Sequence, residues 1–188
     1  AEATDVDLAM VGVRDLLRAE CYDDMFGKVW SPSMNVDLLR AMCESPRWRD
    51  LRVGGYVDEF DPETTKQFSA CVFDVGDGSS YVAFRGTDST IVGWKEDFAM
   101  AFRRPVAAQE SAARYLADIA GLRDGPLMVG GHSKGGNLAV YAAANAPAAV
   151  QEHLIAVFCH DGPGFDADFF DTPGYARVAP LAVSYTHL

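Results

Sequence analysis

Residues 127–139 read Leu127-Met128-Val129-Gly130-Gly131-His132-Ser133-Lys134-Gly135-Gly136-Asn137-Leu138-Ala139. Leu127 to Val129 is a short, wholly apolar run, as expected of a strand buried on both faces. A glycine-rich turn follows, and the Ala-rich stretch Lys134 to Ala146 leaves it as a helix. Inside the turn, Gly131-His132-Ser133-Lys134-Gly135 fits G-x-S-x-G. That pattern puts a serine on a sharp strand-to-helix turn, with its hydroxyl above the sheet edge; glycines two before and two after remove Cβ clashes. The backbone N–H of Lys134 then opens the helix, where amides without an intrahelical acceptor suit a developing oxyanion. Without chemistry, the same residues are a Gly-rich βα turn with an N-capping serine. A phosphate-binding loop fits poorly, because the order G-x-x-x-x-G-K-[ST] is absent. Gly136, Ala139, Ala142 and Ala143 form a small-residue face that lets the helix lie close on a sheet.

On either side the periodicity is consistent with this unit. Ala107 to Leu122 has Ala112, Tyr115, Leu116 and Ile119 on one face, and Gly121 with Asp124-Gly125-Pro126 ends it. Leu154 to Cys159 is a second buried strand. Leu51 to Val57, Gln67 to Val75 and Ser80 to Phe84 are β-rich runs, the last two joined by a Gly76-Asp77-Gly78 turn. Asp7 to Arg18, with Leu8, Val11, Leu16 and Leu17, is expected to be an amphipathic helix. Asn35 to Cys43 is expected to be another, entered through Ser31-Pro32-Ser33 and closed near Ser45-Pro46. Strands alternating with helices imply an α/β fold with a mainly parallel sheet covered on both faces. Residues 1–182 form one domain, of which 1–50 is a helical N-terminal extension.

The 188 residues hold 27 acidic and 16 basic side chains, a formal charge of −11. With no basic stripe beyond the pair Arg103 and Arg104, that charge argues against nucleic acid as a partner. Cys21, Cys43, Cys71 and Cys159 form no CxxC pair and read as reduced thiols, which suggests a cytoplasmic setting. The four histidines lack ligand spacing, so no metal site is expected and no cofactor is implied. No apolar run approaches the ~18 residues of a membrane span. The chain starts at Ala1, and Val183-Ser184-Tyr185-Thr186-His187-Leu188 matches the translation of a transposon end used in sequencing. Residues 183–188 are therefore read as adapter-encoded, and the chain as a gene fragment.

Ahead of this strand–turn–helix elbow around Ser133 stands Ala83-Phe84-Arg85-Gly86-Thr87-Asp88, followed by Trp94-Lys95-Glu96-Asp97. Together with the elbow, these motifs resemble the class-3 (fungal-type) lipase family of α/β-hydrolases. They are most similar to a bacterial branch of that superfamily whose elbow reads GHSKGGNLA. The resemblance covers roughly Phe68 to Phe165. It implies that Thr87 contributes to an oxyanion hole and that Trp94 and Asp97 brace the loop. From the residues alone, a glycine-containing loop at a strand end can donate to an oxyanion; equally, Thr87 and Asp88 can cap the next helix. Arg85 reads as a structural partner for an acidic residue.

In α/β-hydrolases the chain order is Ser, then Asp or Glu, then His. His153 precedes its strand and so falls at the wrong end of the sheet, His160 lies at a strand tip beside Asp161, and His187 belongs to the adapter stretch. The catalytic histidine is therefore expected to be missing from this chain, leaving it inactive. Asp161 is the best-placed acid, although the resemblance places the family's acid later and makes Asp161-Gly162-Pro163-Gly164 a turn beside the site. Lys134 is either solvent-exposed or a ligand for an anion or carboxylate. Phe165, Phe169 and Phe170 either line an acyl site or belong to the core. The expectation is a serine hydrolase acting on a small-molecule or lipid ester or thioester through an acyl-enzyme on Ser133. The alternatives are an inactive hydrolase-fold binding protein and an acyltransferase.

Overall fold

The computed structural model describes residues 6–27, 29, 31–87 and 105–186. Its centre is a seven-stranded sheet in the order β1-β2-β3-β4-β5-β6-β7. The strands are β1 Val11–Gly12, β2 Arg52–Asp61, β3 Lys66–Asp74, β4 Ser80–Phe84, β5 Leu127–His132, β6 Leu154–His160 and β7 Ala182–Tyr185. Strands β1 to β4 pair antiparallel, whereas β4 to β7 pair in parallel. Only β1 and β3 therefore run against the direction shared by the other five. Among the described residues the α-helices are α1 Tyr22–Phe26, α2 Pro32–Glu44, α3 Ala107–Leu122, α4 Lys134–Asn145, α5 Ala148–Gln151, α6 Ala167–Phe170 and α7 Pro173–Val178.

Alternation along the strands assigns the two faces. Phe68, Ala70 and Val72 of β3, with Val82 and Phe84 of β4 and Val129 of β5, are buried against Ala112, Tyr115, Leu116 and Ile119 of α3. Leu138, Ala139, Ala142 and Ala143 of α4 complete that layer. The opposite face carries a smaller core in which Leu39 of α2 meets Val13 and Leu51, with Val53 and Phe73 packed against it. Among the described residues, helices cover the first face, whereas on the second α2 packs only against the β1–β3 end.

The chain before residue 50 departs from expectation. Asp7 to Arg18 is not an α-helix: Val11–Gly12 pairs with Val53 and Arg52, and Val13–Leu16 is a 3-10 turn. The helical spacing of Leu8, Val11, Leu16 and Leu17 loses to burial of Val13, which is only 1% exposed, in the smaller core. β2 also runs on to Asp61, past the expected end at Val57. At the other edge, β7 pairs in parallel with β6, and its last three residues belong to the stretch that matches the transposon end.

Parallel strands place their C-terminal ends along one edge. β4 ends at Phe84, β5 at His132 and β6 at His160, so residues 85–87, 133 and 161 follow three adjacent strands at that edge.

Candidate active site

Ser133 joins β5 to α4 with φ 54° and ψ −128°. A non-glycine residue in that region costs on the order of 1–3 kcal/mol and persists only where its surroundings over-determine it. Here the Ser133 amide donates to the His160 carbonyl at 2.8 Å, and the Gly136 amide donates to the Ser133 carbonyl at 2.9 Å. The flanking glycines make the close approach possible. A Cβ on Gly131 would lie 2.5 Å from the Phe84 carbonyl oxygen, and one on Gly135 would be driven into the same carbonyl. Neither glycine has a positive φ, so both are required by contact and the strain is concentrated in Ser133.

The β4 loop meets this turn directly. A Cβ on Gly86 would stand 2.8 Å from the His132 carbonyl oxygen and 3.6 Å from the Ser133 Cβ. Thr87 comes next in the chain and is half-buried. Arg85 turns away and pairs with Asp58 at 3.0 Å. Gly130 has a separate role, because the Tyr81 hydroxyl and Phe158 occupy the space a side chain would need there.

Lys134 corrects the expectation of a solvent-exposed lysine. It is 0% exposed, and its Nζ donates to both the carbonyl and the side-chain Oε1 of Gln67, each at 2.6 Å. Taking an ammonium out of water costs several kcal/mol unless strong hydrogen bonds offset it. A cation in a helix's first turn is also disfavoured by the helix dipole.

A third segment packs against the elbow. Asp161 has φ 51°, and its amide donates to the Tyr185 carbonyl at 2.8 Å. Its carboxylate lies 3.5 Å from Nε2 of His132, whose side chain is 70% exposed. The following turn is held by a buried relay that the sequence had not singled out. Gln109 Oε1 accepts from the Val106 amide, and Gln109 Nε2 donates to Asn137 Oδ1 at 2.9 Å. Asn137 Nδ2 in turn donates to the Pro163 carbonyl at 2.9 Å. Gln109 and Asn137 are fully buried. Beneath the turn, burial and then the charge of Asp161 raise the pKa of the Cys159 thiol, against a backbone hydrogen bond from Gly162 that lowers it.

The histidines are dispersed. His153 stands at the opposite edge, where its carbonyl accepts from the Leu127 amide at 2.8 Å. His160 stacks on Phe158 with centroids 6.2 Å apart. Phe169 is buried between Phe165 and Tyr141, which makes it core, and Phe170 remains half exposed at the edge of that cluster. Trp94, Asp97, Asp88 and His187 lie outside the described residues. Among the described residues, no group of three or more His, Cys, Asp or Glu side chains is arranged to hold a metal ion. Nor is any helix among them long and apolar enough to cross a membrane. Two open clefts, at Gly125–His153 and at Val11–Met25, both lie away from Ser133.

These features define a mixed α/β protein whose strained serine stands between a parallel strand and a helix, with a glycine-containing loop pressed against it. Residues 42–185 match the Mbeg1-like family, and the chain belongs to that family. No curated protein and no solved structure matches it.

Proposed function

We propose that the protein is a serine hydrolase with an α/β-hydrolase-like frame, acting on a carboxylic ester or thioester through an acyl-enzyme on Ser133. The observation that carries this reading is the strained backbone of Ser133, held against Gly86 and flanked by two glycines that admit no side chain. Strain of this kind is kept where it aims a group at chemistry. The class-3 lipase resemblance of the two motifs supports it, and membership of the Mbeg1-like family is compatible with a lipase-like hydrolase.

In this mechanism the Ser133 hydroxyl adds to the acyl carbon and gives its proton to a general base. The carbonyl oxygen becomes an oxyanion that accepts hydrogen bonds from the Lys134 amide and the Thr87 loop. Collapse of the tetrahedral species breaks the ester bond, and the leaving alcohol or thiol takes the proton from the base. Water then repeats the sequence on the acyl-enzyme and releases the acid. Among the described residues no histidine is hydrogen-bonded to the Ser133 hydroxyl: His132 lies against Asp161, His153 is at the far edge and His160 stacks on Phe158, so the base is left unassigned among them. Asp161 shapes the turn beside the site, with its carboxylate 3.5 Å from His132.

The test is labelling with a fluorophosphonate, using protein translated from the intact gene through its native stop codon. The expected result is one label, mapped to Ser133 and lost in Ser133→Ala, together with turnover of a p-nitrophenyl ester. Protein that takes no label and turns over neither ester nor thioester is instead a binding protein on a hydrolase frame.

A further inference from the structure

Lys134 stands one residue after the elbow serine, and its side chain has no part in the proposed mechanism. A lysine at a helix's first position ordinarily points to water; this one is drawn wholly inside and reaches across to β3. Its ammonium grips Gln67 twice, through the main-chain carbonyl and the side-chain oxygen, both at 2.6 Å. Gln67 is itself fully buried.

The place of Gln67 in the sheet gives this contact its meaning. Ala70 of β3 faces Phe84 of β4, and the Arg85 amide donates to the Ser69 carbonyl at 3.0 Å. Gln67 stands on β3 two residues from Ser69, on the side of the loop that leads on to Thr87. One residue therefore joins the two halves of the oxyanion site: its amide belongs to the elbow, and its side chain anchors the strand beside the Thr87 loop. A leucine or methionine would fill the same volume without desolvating a charge, but neither could fix a distance by directional hydrogen bonds.

We infer that the Lys134 side chain is a positioning residue, which through Gln67 sets the spacing between the Lys134 amide and the Thr87 loop at the oxyanion site. This rests on the serine hydrolase reading above. Donors are effective only when held at the position the oxyanion will occupy, and a displacement near 1 Å is enough to cost roughly a hundredfold in rate.

The experiment compares Lys134→Met and Gln67→Leu with the wild type, using protein from the intact gene. Each preparation is titrated with fluorophosphonate, so that turnover is counted per labelled Ser133 and unfolded protein drops out. Lys134→Met is expected to lower kcat on a p-nitrophenyl ester by roughly 10–100-fold with KM changed less than about threefold. Gln67→Leu, which keeps the carbonyl contact, is expected to shift kcat the same way by less, and the double variant to fall short of the product of the two. Should Lys134→Met fail to fold, Gln67→Leu decides alone. A kcat per labelled site within twofold of wild type in the folded variants overturns the inference while leaving Ser133 as nucleophile. Wild-type protein that takes no label at Ser133 overturns the hydrolase reading itself, and this inference with it.

Discussion

Gly86 lies against Ser133 so closely that a single added carbon would stand 3.6 Å from the serine Cβ and 2.8 Å from the His132 carbonyl oxygen. The β4 loop and the elbow therefore hold one fixed distance, and any side chain at position 86 must push them apart. Gly86→Ala is expected to lower the rate of fluorophosphonate labelling and of ester turnover by roughly 10–100-fold, through displacement of the Thr87 loop. Stopped-time labelling on folded variant protein measures it, and a rate unchanged within twofold would mean that the loop is not part of the site.

The elbow glycines predict a different phenotype. At Gly135 the new Cβ would be forced into the Phe84 carbonyl, where β4 backbone and helix α4 meet. Overpacking of this kind costs about 1–3 kcal/mol or more. Gly135→Ala is therefore expected to lower the urea midpoint and to reduce folded yield, whereas Gly121→Ala, with no atom near its Cβ position, should not. Equal midpoints for the two variants would contradict the close approach.

Much of this arrangement was legible in the sequence, for physical reasons that differ from element to element. The β5–α4 unit could be read because a strand buried on both faces is apolar throughout, and because a turn this tight admits only glycine at positions 131 and 135. Helix α3 was readable from the 3.6 period of Ala112, Tyr115, Leu116 and Ile119, all buried. Asp7 to Arg18 misled because a few apolar residues at helical spacing count for less than the docking of Val13 beside Leu39 and Leu51. The burial of Lys134 had no local signal: the contact it makes with Gln67 spans 67 residues of chain. The contact of His132 with Asp161 was within reach, because adjacent parallel strands of known length bring their tips together. Gln109 and Asn137 also left a trace, each being a polar residue on a helix face that is otherwise buried.

That relay carries its own prediction. Asn137→Ala leaves Gln109 Nε2 and the Pro163 carbonyl, both bound to Asn137 in the native protein, without their partner in a buried setting. The expected cost is about 1–3 kcal/mol, with Gln109→Ala and Asn137→Ala less than additive in the double variant. Equilibrium unfolding in urea measures it. Full additivity would mean that the two amides do not act together.

Asp74 supplies a pH dependence. The hydrogen bond from Arg123 at 2.8 Å, with a second from the Gly76 amide, holds its carboxyl below the usual carboxylate range. A depressed carboxyl pKa stabilises the folded state above the unfolded value near 4, and that contribution is lost as pH falls through the folded value. Asp74→Asn is therefore expected to cost about 0.5–1 kcal/mol at pH 7. Its unfolding free energy should converge on wild type as the pH is lowered from 5 towards 3. A constant difference across that range would rule out the ion pair as its source.

The central claim is that Ser133 is a nucleophile, and the most direct measurement is fluorophosphonate labelling of the protein from the intact gene, with the modified peptide mapped by mass spectrometry. The account predicts a single adduct on Ser133, absent in Ser133→Ala and matched by loss of ester turnover in that variant. An adduct on another residue, or esterase activity that survives Ser133→Ala, would contradict it.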